Sequence, residues 1–216
     1  SKTMAANVDL LVTVTALAHP APRLPTLDQL LAFAELQDLD AAVVLTKPDL
    51  TAIDEAEALA QAYRKIGYPA VVTNPKRGEN VEALRDLIAG RRALLAGNSG
   101  VGKSTIFGAL GGEAAVGNVS RHGMGRQTTT AARLYRTPGG FLIDSPGLNE
   151  FGLGSLEPRE LALGFREMVE PQQHCRFTDC CHLQEPGCAV REAITAGAIA
   201  QSRYDSFRAI LAKEER

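Results

Sequence analysis

Arg92-Ala93-Leu94-Leu95-Ala96-Gly97-Asn98-Ser99-Gly100-Val101-Gly102-Lys103-Ser104-Thr105 runs from an apolar stretch, through a glycine-rich turn, into a helix-forming segment. Gly97 to Ser104 fits G-x-x-x-x-G-K-[ST], the phosphate-cradling P-loop. Its glycines let backbone N–H groups curl around a polyphosphate, and the helix that follows presents its N-terminus to the same charge. Asn98, Ser99, Gly100, Val101, Gly102 and Thr105 are the expected surroundings of the phosphates. Lys103 is placed to neutralise the β- and γ-phosphates, and Ser104 to ligate Mg²⁺. A strand before the loop and a helix after it are what this mechanism requires.

Downstream, the apolar strand Phe141-Leu142-Ile143 ends at Asp144-Ser145-Pro146-Gly147, a D-x-x-G element. There an acid reaches Mg²⁺ through a water, and the Gly147 N–H can sense the γ-phosphate. Thr128-Thr129-Thr130 lie just before the preceding strand; a threonine such as Thr129 can offer its hydroxyl to Mg²⁺ and its backbone to the γ-phosphate. Upstream, Ala41-Ala42-Val43-Val44-Leu45 runs directly into Thr46-Lys47-Pro48-Asp49. Asp49 can accept two hydrogen bonds from guanine N1–H and N2–H₂, a pair of donors adenine lacks. Lys47 would lay its stem against base and ribose, and Thr46 stands where asparagine is commoner. Thr73-Asn74 follows the third strand, where a Ser-Ala pair usually touches the guanine O6, though the match is poor. In the usual order the base-selecting element comes after the P-loop and D-x-x-G. Here it precedes both, so the chain is circularly permuted.

The rest of the chain fits that frame. Leu10 to Thr15, Ala41 to Leu45, Pro69 to Thr73 and Arg92 to Ala96 are short apolar runs without alternation, hence strands buried on both faces of a parallel sheet. Helices are expected over Thr26 to Leu36, from a Thr51 cap to Ile66 with Asp54 completing a near capping box, and from an Asn80 cap to Gly90. Ala131 to Thr137 and Phe141 to Ile143 form one hairpin around Pro138-Gly139-Gly140. Gly117 to Thr130 reads as a loop. Beyond Asp144 no strand is expected, and helices are read at Pro158 to Val169, Ala189 to Ala196 and Gln201 to Lys213. The fold class is therefore α/β, a mostly parallel sheet flanked by helices, with a small helical domain at the C-terminal end. With the boundary near Gly154, the two domains are residues 1–154 and 155–216.

The chain of 216 residues is 45% hydrophobic and 22% charged with a net charge of -2, which provides no global attraction to nucleic acid or anionic membrane. No apolar run is long enough to span a bilayer and no signal peptide is evident, so a cytoplasmic location is expected. The opening Ser1-Lys2-Thr3-Met4 reads as an internal start. All four cysteines fall between 175 and 188. Cys175-x4-Cys180-x-His182-x5-Cys188 supplies three sulfurs and one imidazole, a closed set suited to one structural Zn²⁺. Cys181 and His174 are spare candidates for the same role.

Together, the order of these motifs with Gly125-Arg126-Gln127-Thr128-Thr129-Thr130, and the stretches Ala6-Asn7-Val8-Asp9 and Glu185-Pro186-Gly187-Cys188-Ala189-Val190, closely resembles the bacterial ribosome small-subunit-dependent GTPase A family. The resemblance implies a circularly permuted GTPase using GTP/GDP, Mg²⁺ and Zn²⁺. It implies a monomer acting late in small-subunit maturation, stimulated by the ribosome and touching rRNA. Three departures stand out: the family's N-terminal OB-fold domain is not in this sequence, Gln127 replaces a loop histidine assigned a catalytic part, and Thr46 replaces asparagine. Leu148 follows the D-x-x-G where many GTPases place a water-positioning glutamine, so intrinsic hydrolysis should be slow. Movement of Gly147 would pull on the zinc domain through Phe151-Gly152-Leu153-Gly154. From Ala114 to Ile143 the chain holds Arg121, Arg126, Arg133 and Arg136 and no acid, a composition that can face RNA phosphates. Rival classes are a P-loop ATPase or small-molecule kinase, against which Asp49 argues, a zinc-bearing nucleic-acid-binding module without turnover, and a permuted GTPase serving the large subunit, against which the zinc cluster argues.

Overall fold

The computed structural model describes residues 8–119, 132–144 and 156–214. In chain order the elements are β1 (Leu10–Ala16), α1 (Leu24–Leu36), β2 (Asp40–Thr46), α2 (Ile53–Lys65), β3 (Ala70–Thr73), α3 (Val81–Ile88), β4 (Arg92–Ala96), α4 (Lys103–Ala109), β5 (Glu113–Val119), β6 (Ala132–Thr137), β7 (Gly140–Asp144), α5 (Pro158–Ala162), α6 (Arg166–Val169), α7 (Ala189–Thr195) and α8 (Gln201–Glu214). They fall into two compact units, residues 1–22 with 39–150 and residues 23–38 with 151–216.

The first unit is a seven-stranded sheet of order β3-β2-β1-β4-β7-β6-β5. The pairs from β3 through β7 are parallel. All seven residues of β1 are buried, as are all of β2 after Asp40, which explains why these runs do not alternate. One core cluster joins Val12 and Val14 of β1, Val44 of β2 and Leu95 of β4 to Leu84 and Ile88 of α3, Ile106 of α4 and Leu142 of β7. At the opposite end of the strands, the Asp9 carboxylate accepts from the Arg92 backbone N–H at 2.9 Å and from its Nε and NH2 at 2.9 and 2.7 Å, pinning the starts of β1 and β4 together. These hydrogen bonds, the side-chain pair foremost, hold the Asp9 carboxyl down at about 2.

The chain winds outward from β1 to β2 and β3, then returns to place β4 on the other side of β1. Open α/β sheets bind ligands at such a switch point, outside the carboxyl ends of the strands. The P-loop leaves β4 and Thr46-Lys47-Pro48-Asp49 leaves β2 at that edge.

Three local expectations are corrected. Glu113–Val119 is a strand, β5, so Gly117 to Val119 is not loop and the sheet has two antiparallel pairs, β5–β6 and β6–β7. Thr51 does not cap α2: Pro48–Leu50 forms a 3-10 turn, Ala52 occupies the cap position, and the Thr51 hydroxyl donates to Glu55 Oε2 at 2.8 Å. Asn80 sits at the head of α3, but its Nδ2 donates back to the Val72 carbonyl at 2.9 Å instead of capping.

In the second unit, α1 packs on α8. Ala32 of α1 shares a core with Leu161, Phe165, Met168, Val190, Ile199, Phe207 and Ile210. α1, drawn from between β1 and β2, is grouped with this unit. The single helix expected from Pro158 to Val169 is broken into α5 and α6 around Gly164, where a Cβ would lie 2.8 Å from the Ala32 Cβ. The close approach of α1 accounts for the glycine. Arg203 of α8, almost fully buried, donates to Asp28 of α1 at 2.5 Å and to Glu167 of α6 at 2.5 and 3.2 Å. Its guanidinium lies 4.6 Å from the Phe165 ring centroid.

Candidate nucleotide site and metal centre

The P-loop is shaped by what surrounds its backbone. Gly97 has φ +149°, and a Cβ there would meet the Val14 carbonyl oxygen at 2.1 Å, so only glycine fits. Gly102 heads α4 at φ +103°. Lys103 Nζ donates to the carbonyls of Gly97 at 2.6 Å and Asn98 at 2.9 Å, so the ammonium is already bent over the loop. Val101 is buried, whereas Ser104 and Thr105 are exposed in the first turn of α4.

Thr46, Lys47 and the P-loop are brought into contact. The buried Thr46 hydroxyl donates to the Val101 carbonyl at 2.5 Å, joining the end of β2 to the P-loop. Lys47 adopts left-handed backbone geometry, φ 59° and ψ 47°, and its Nζ donates to the carbonyls of Gly100 at 2.8 Å and of His19. Asp49 is met from the β3–α3 loop: Asn74 Nδ2 donates to Oδ1 at 2.9 Å, and Arg77 lies 3.5 Å from Oδ2. The Thr73 hydroxyl does not face this carboxylate but donates to the Glu79 carbonyl at 2.7 Å, closing the loop. In register, Asp144 at the end of β7 is paired with Leu95 of β4, next to the P-loop. Gln127, Thr128, Thr129, Thr130, Gly147 and Leu148 lie outside the described residues. Sequence reasoning missed Arg77, the His19 carbonyl and the use of the Val101 carbonyl. Backbone acceptors leave no trace in residue identity, and a loop arginine resembles any solvated one.

The cysteine region brings four of the candidate ligands together. Cys175, Cys180, His182 and Cys188 place their donor atoms within 4.8 Å of one another. Cys175 Sγ lies 3.9 Å from Cys188 Sγ, and His182 Nδ1 lies 3.6 and 3.4 Å from those sulfurs. Zn–S bonds of about 2.3 Å and a Zn–N bond of about 2.0–2.1 Å in a tetrahedron imply S···S near ~3.8 Å and S···N near ~3.5 Å. The donor set fits zinc. All four cysteines are free thiols. Cys181 points its sulfur at the Asp179 carbonyl, 3.6 Å away, and His174 pairs with Glu170 at 2.9 Å, so neither spare candidate joins the set.

Burial pushes the Cys180 thiol up to about 12 and the Cys188 thiol in the same direction, while it lowers His182. Without a cation these sulfurs resist ionisation, and a bound divalent metal reverses that preference. Glu185 braces the loop: its carboxylate accepts backbone N–H groups of Cys181 at 3.1 Å, Leu183 at 3.0 Å and Gln184 at 3.0 Å. Burial alone would raise this carboxyl, but these N–H groups and its own outweigh burial and hold it at about 2. The Tyr204 hydroxyl donates to the His182 carbonyl at 2.7 Å, fixing the left-handed turn, φ 61°, that aims the imidazole at the sulfurs.

Comparison with known proteins sets this geometry in context. The RsgA GTPase family matches residues 1–154. The small ribosomal subunit biogenesis GTPase RsgA of Yersinia enterocolitica is 41% identical over 223 residues, an alignment covering 99% of this chain and 63% of the relative. The protein of the same description from Haemophilus influenzae is 41% identical over 217 residues, covering 97% and 62%. The chain thus spans about 63% of the length of such relatives. Among solved structures, YjeQ from Thermotoga maritima superposes with a TM-score of 0.78 at 32% identity, covering 96% of this chain and 72% of the other. YloQ, described as a circularly permuted GTPase, superposes at 0.77 and 29% identity, covering 97% and 69%.

Proposed function

The chain belongs to the RsgA GTPase family, and on that premise we propose that it hydrolyses GTP in the service of small-ribosomal-subunit maturation. The observation that carries this reading is the convergence of Lys47, Asp49 and the P-loop at one edge of the sheet, despite their inverted order in the chain. Nucleotide handling is assigned to residues 1–154 and zinc binding to 155–216, with α1 packed against the helices of the latter.

Guanine is held by Asp49, which accepts N1–H and N2–H₂, with the Lys47 stem against the base and Thr73-Asn74 beside it. The triphosphate lies along Asn98, Ser99, Gly100, Val101 and Gly102, with Thr105 near. Lys103 turns from its carbonyl contacts to the β- and γ-phosphates. Ser104 and Thr129 would hold Mg²⁺, with Asp144 serving it through a water; when bound, the ion would supply charge neutralisation to the phosphates. Water attacks the γ-phosphorus and the bond to the β–γ bridging oxygen breaks, giving GDP and phosphate. Gln127 orients that water and the Gly147 N–H follows the γ-phosphate. Leu148 has no polar side-chain atom to position water, so turnover is slow until the small subunit, through its rRNA, supplies a charge or a water-orienting group. Loss of the γ-phosphate shifts Gly147, and that movement passes along the chain to the zinc-binding part. The protein acts as a cytoplasmic monomer. Cys175, Cys180, His182 and Cys188 would hold one Zn²⁺ in a structural role, since three sulfurs and one imidazole make a closed set that leaves no open position.

The test is hydrolysis of GTP and ATP by the chain, with and without purified small subunits. GTP turnover well above ATP turnover and stimulated by small subunits is the expected result. Equal use of the two nucleotides removes the guanine reading; absence of stimulation in a version that carries the family's N-terminal OB-fold domain removes the ribosomal one.

A further inference from the structure

Asp49 lies at the surface in the 3-10 turn Pro48–Leu50, with its side chain 30% exposed. A carboxylate there rotates freely unless something holds it. Guanine presents N1–H and N2–H₂ side by side in one plane, and both bonds form well only if the acceptor lies in that plane. The orientation of Asp49 is therefore as much a determinant of base choice as its presence.

We infer that Asn74 is a positioning residue for guanine specificity, acting by fixing the Asp49 carboxylate; the inference rests on the guanine reading of the site. Asn74 is buried, 5% exposed, and donates from Nδ2 to Asp49 Oδ1 at 2.9 Å. Its backbone is locked from several directions. Asn74 N–H donates to the Glu79 carbonyl at 3.2 Å, Glu79 N–H returns to Asn74 at 3.1 Å, and Arg77 N–H donates to the Asn74 carbonyl at 3.0 Å. The Thr73 hydroxyl, bound to the Glu79 carbonyl at 2.7 Å, closes the same loop. A rigid loop thus presents one amide donor to one carboxylate oxygen. Each carboxylate oxygen has two lone pairs, so Oδ1 still accepts from the base. Arg77 differs: at 3.5 Å from Oδ2, with a side chain 60% exposed, it adds charge without fixing a direction.

The experiment measures the affinities of GDP, IDP and ADP for the full chain, for Asn74→Ala, Asn74→Ser, Arg77→Ala and Asp49→Ala, and for the double variant Asp49→Ala/Asn74→Ala. IDP lacks the 2-amino group, so the GDP:IDP ratio reads the second base hydrogen bond. Hydrogen bonds to charged groups contribute enough for changes of about tenfold to a hundredfold. Asn74→Ala is expected to weaken GDP by about tenfold and reduce the GDP:IDP ratio by a similar factor, with ADP unchanged. Arg77→Ala is expected to keep that ratio within about twofold. Asn74→Ala is expected to cost GDP nothing further once Asp49 is alanine, because the effect runs through that carboxylate. Asn74→Ser, which keeps a donor on the same backbone, is expected to fall between parent and Asn74→Ala. An unchanged GDP:IDP ratio in Asn74→Ala, or additive losses in the double variant, overturns the inference. A parent that does not prefer GDP to ADP overturns the guanine reading itself, so the two failures are distinguishable. Equal loss of all three nucleotides in Asn74→Ala would mean a collapsed loop and also reject the positioning role.

Discussion

Thr46 carries one hydroxyl into a buried position and spends it on the Val101 carbonyl of the P-loop, 2.5 Å away. Thr46→Ala leaves that carbonyl without its donor, and a buried acceptor so stranded costs about 1–3 kcal/mol. A urea midpoint lowered to match, with weaker nucleotide binding, is expected; an unchanged midpoint means water replaces the hydroxyl without loss. Asp49→Asn should turn preference from GTP toward xanthine nucleotide, whose 2-oxo group accepts what the amide donates, read as a competition between the two. At the far end of the same strands the Asp9 carboxyl sits at about 2, against an ordinary 3.8, because Arg92 holds it ionised. A depressed carboxyl contributes stability that is full above its unfolded value and lost as pH falls through the folded one. Asp9→Asn should therefore reduce the protection of β1 and β4 amides at pH 5 and shrink that difference as pH falls from about 4 to 2. Residue identities made Lys47, Asp49 and Lys103 legible, since their chemistry is written in the side chain. Thr46 was legible only as a departure, because its partner is a backbone carbonyl 55 positions away.

At the scale of elements, the buried parallel strands were readable because double burial leaves uninterrupted apolar runs, as in β1 and β2. β5 was not: Glu113-Ala114-Ala115-Val116-Gly117-Asn118-Val119 has neither an apolar run nor clean alternation, and it is a strand by virtue of pairing with β6. The need for glycine at 164, between α5 and α6, was hidden for a similar reason, since what forbids a side chain there is Ala32, distant in sequence. The three helices α1, α6 and α8 meet at Arg203, whose single cation serves two acids, Asp28 and Glu167. Arg203→Ala strands both carboxylates. Removal of one partner of a buried pair costs about 3–5 kcal/mol. The denaturation midpoint of the helical unit should fall accordingly, whereas a shift of only a few tenths would mean that the acids take up protons or water at little cost. In the cysteine loop, Glu185→Ala removes the acceptor for three backbone N–H groups without touching a ligand atom. Zinc should then be lost to a chelator faster at equal stoichiometry, as measured by release kinetics.

The whole molecule places α1 where its sequence position does not suggest. It is strung between β1 and β2, yet it is grouped with the unit that carries the cysteines, packs on α8 and places Ala32 in that unit's core. Amphipathic periodicity states that a helix has a face to bury and is silent on its partner, so this assignment was beyond reach of the sequence. The consequence is testable by removing the metal. Cys180 and Cys188 lie in the same core as Ala32, Phe165, Phe207 and Ile210, so the four ligands and the helices stand or fall as one cooperative body. A structural zinc of this kind can supply on the order of 10–16 kcal/mol of folding free energy. Chelation should open α5 to α8, and α1 with them, although α1 lies more than a hundred positions from the cysteines in the chain. The sheet has its own core of β1, β2, β4, α3 and α4 and should keep its protection. Hydrogen exchange before and after chelation reads both halves of the prediction at once. If α1 stays as protected as β1 and β2 while the C-terminal helices exchange, its packing on α8 adds little and the helix draws its stability from elsewhere. If β1 and β4 exchange as well, the two units do not fold independently, and zinc supports the nucleotide site in addition to its own loop.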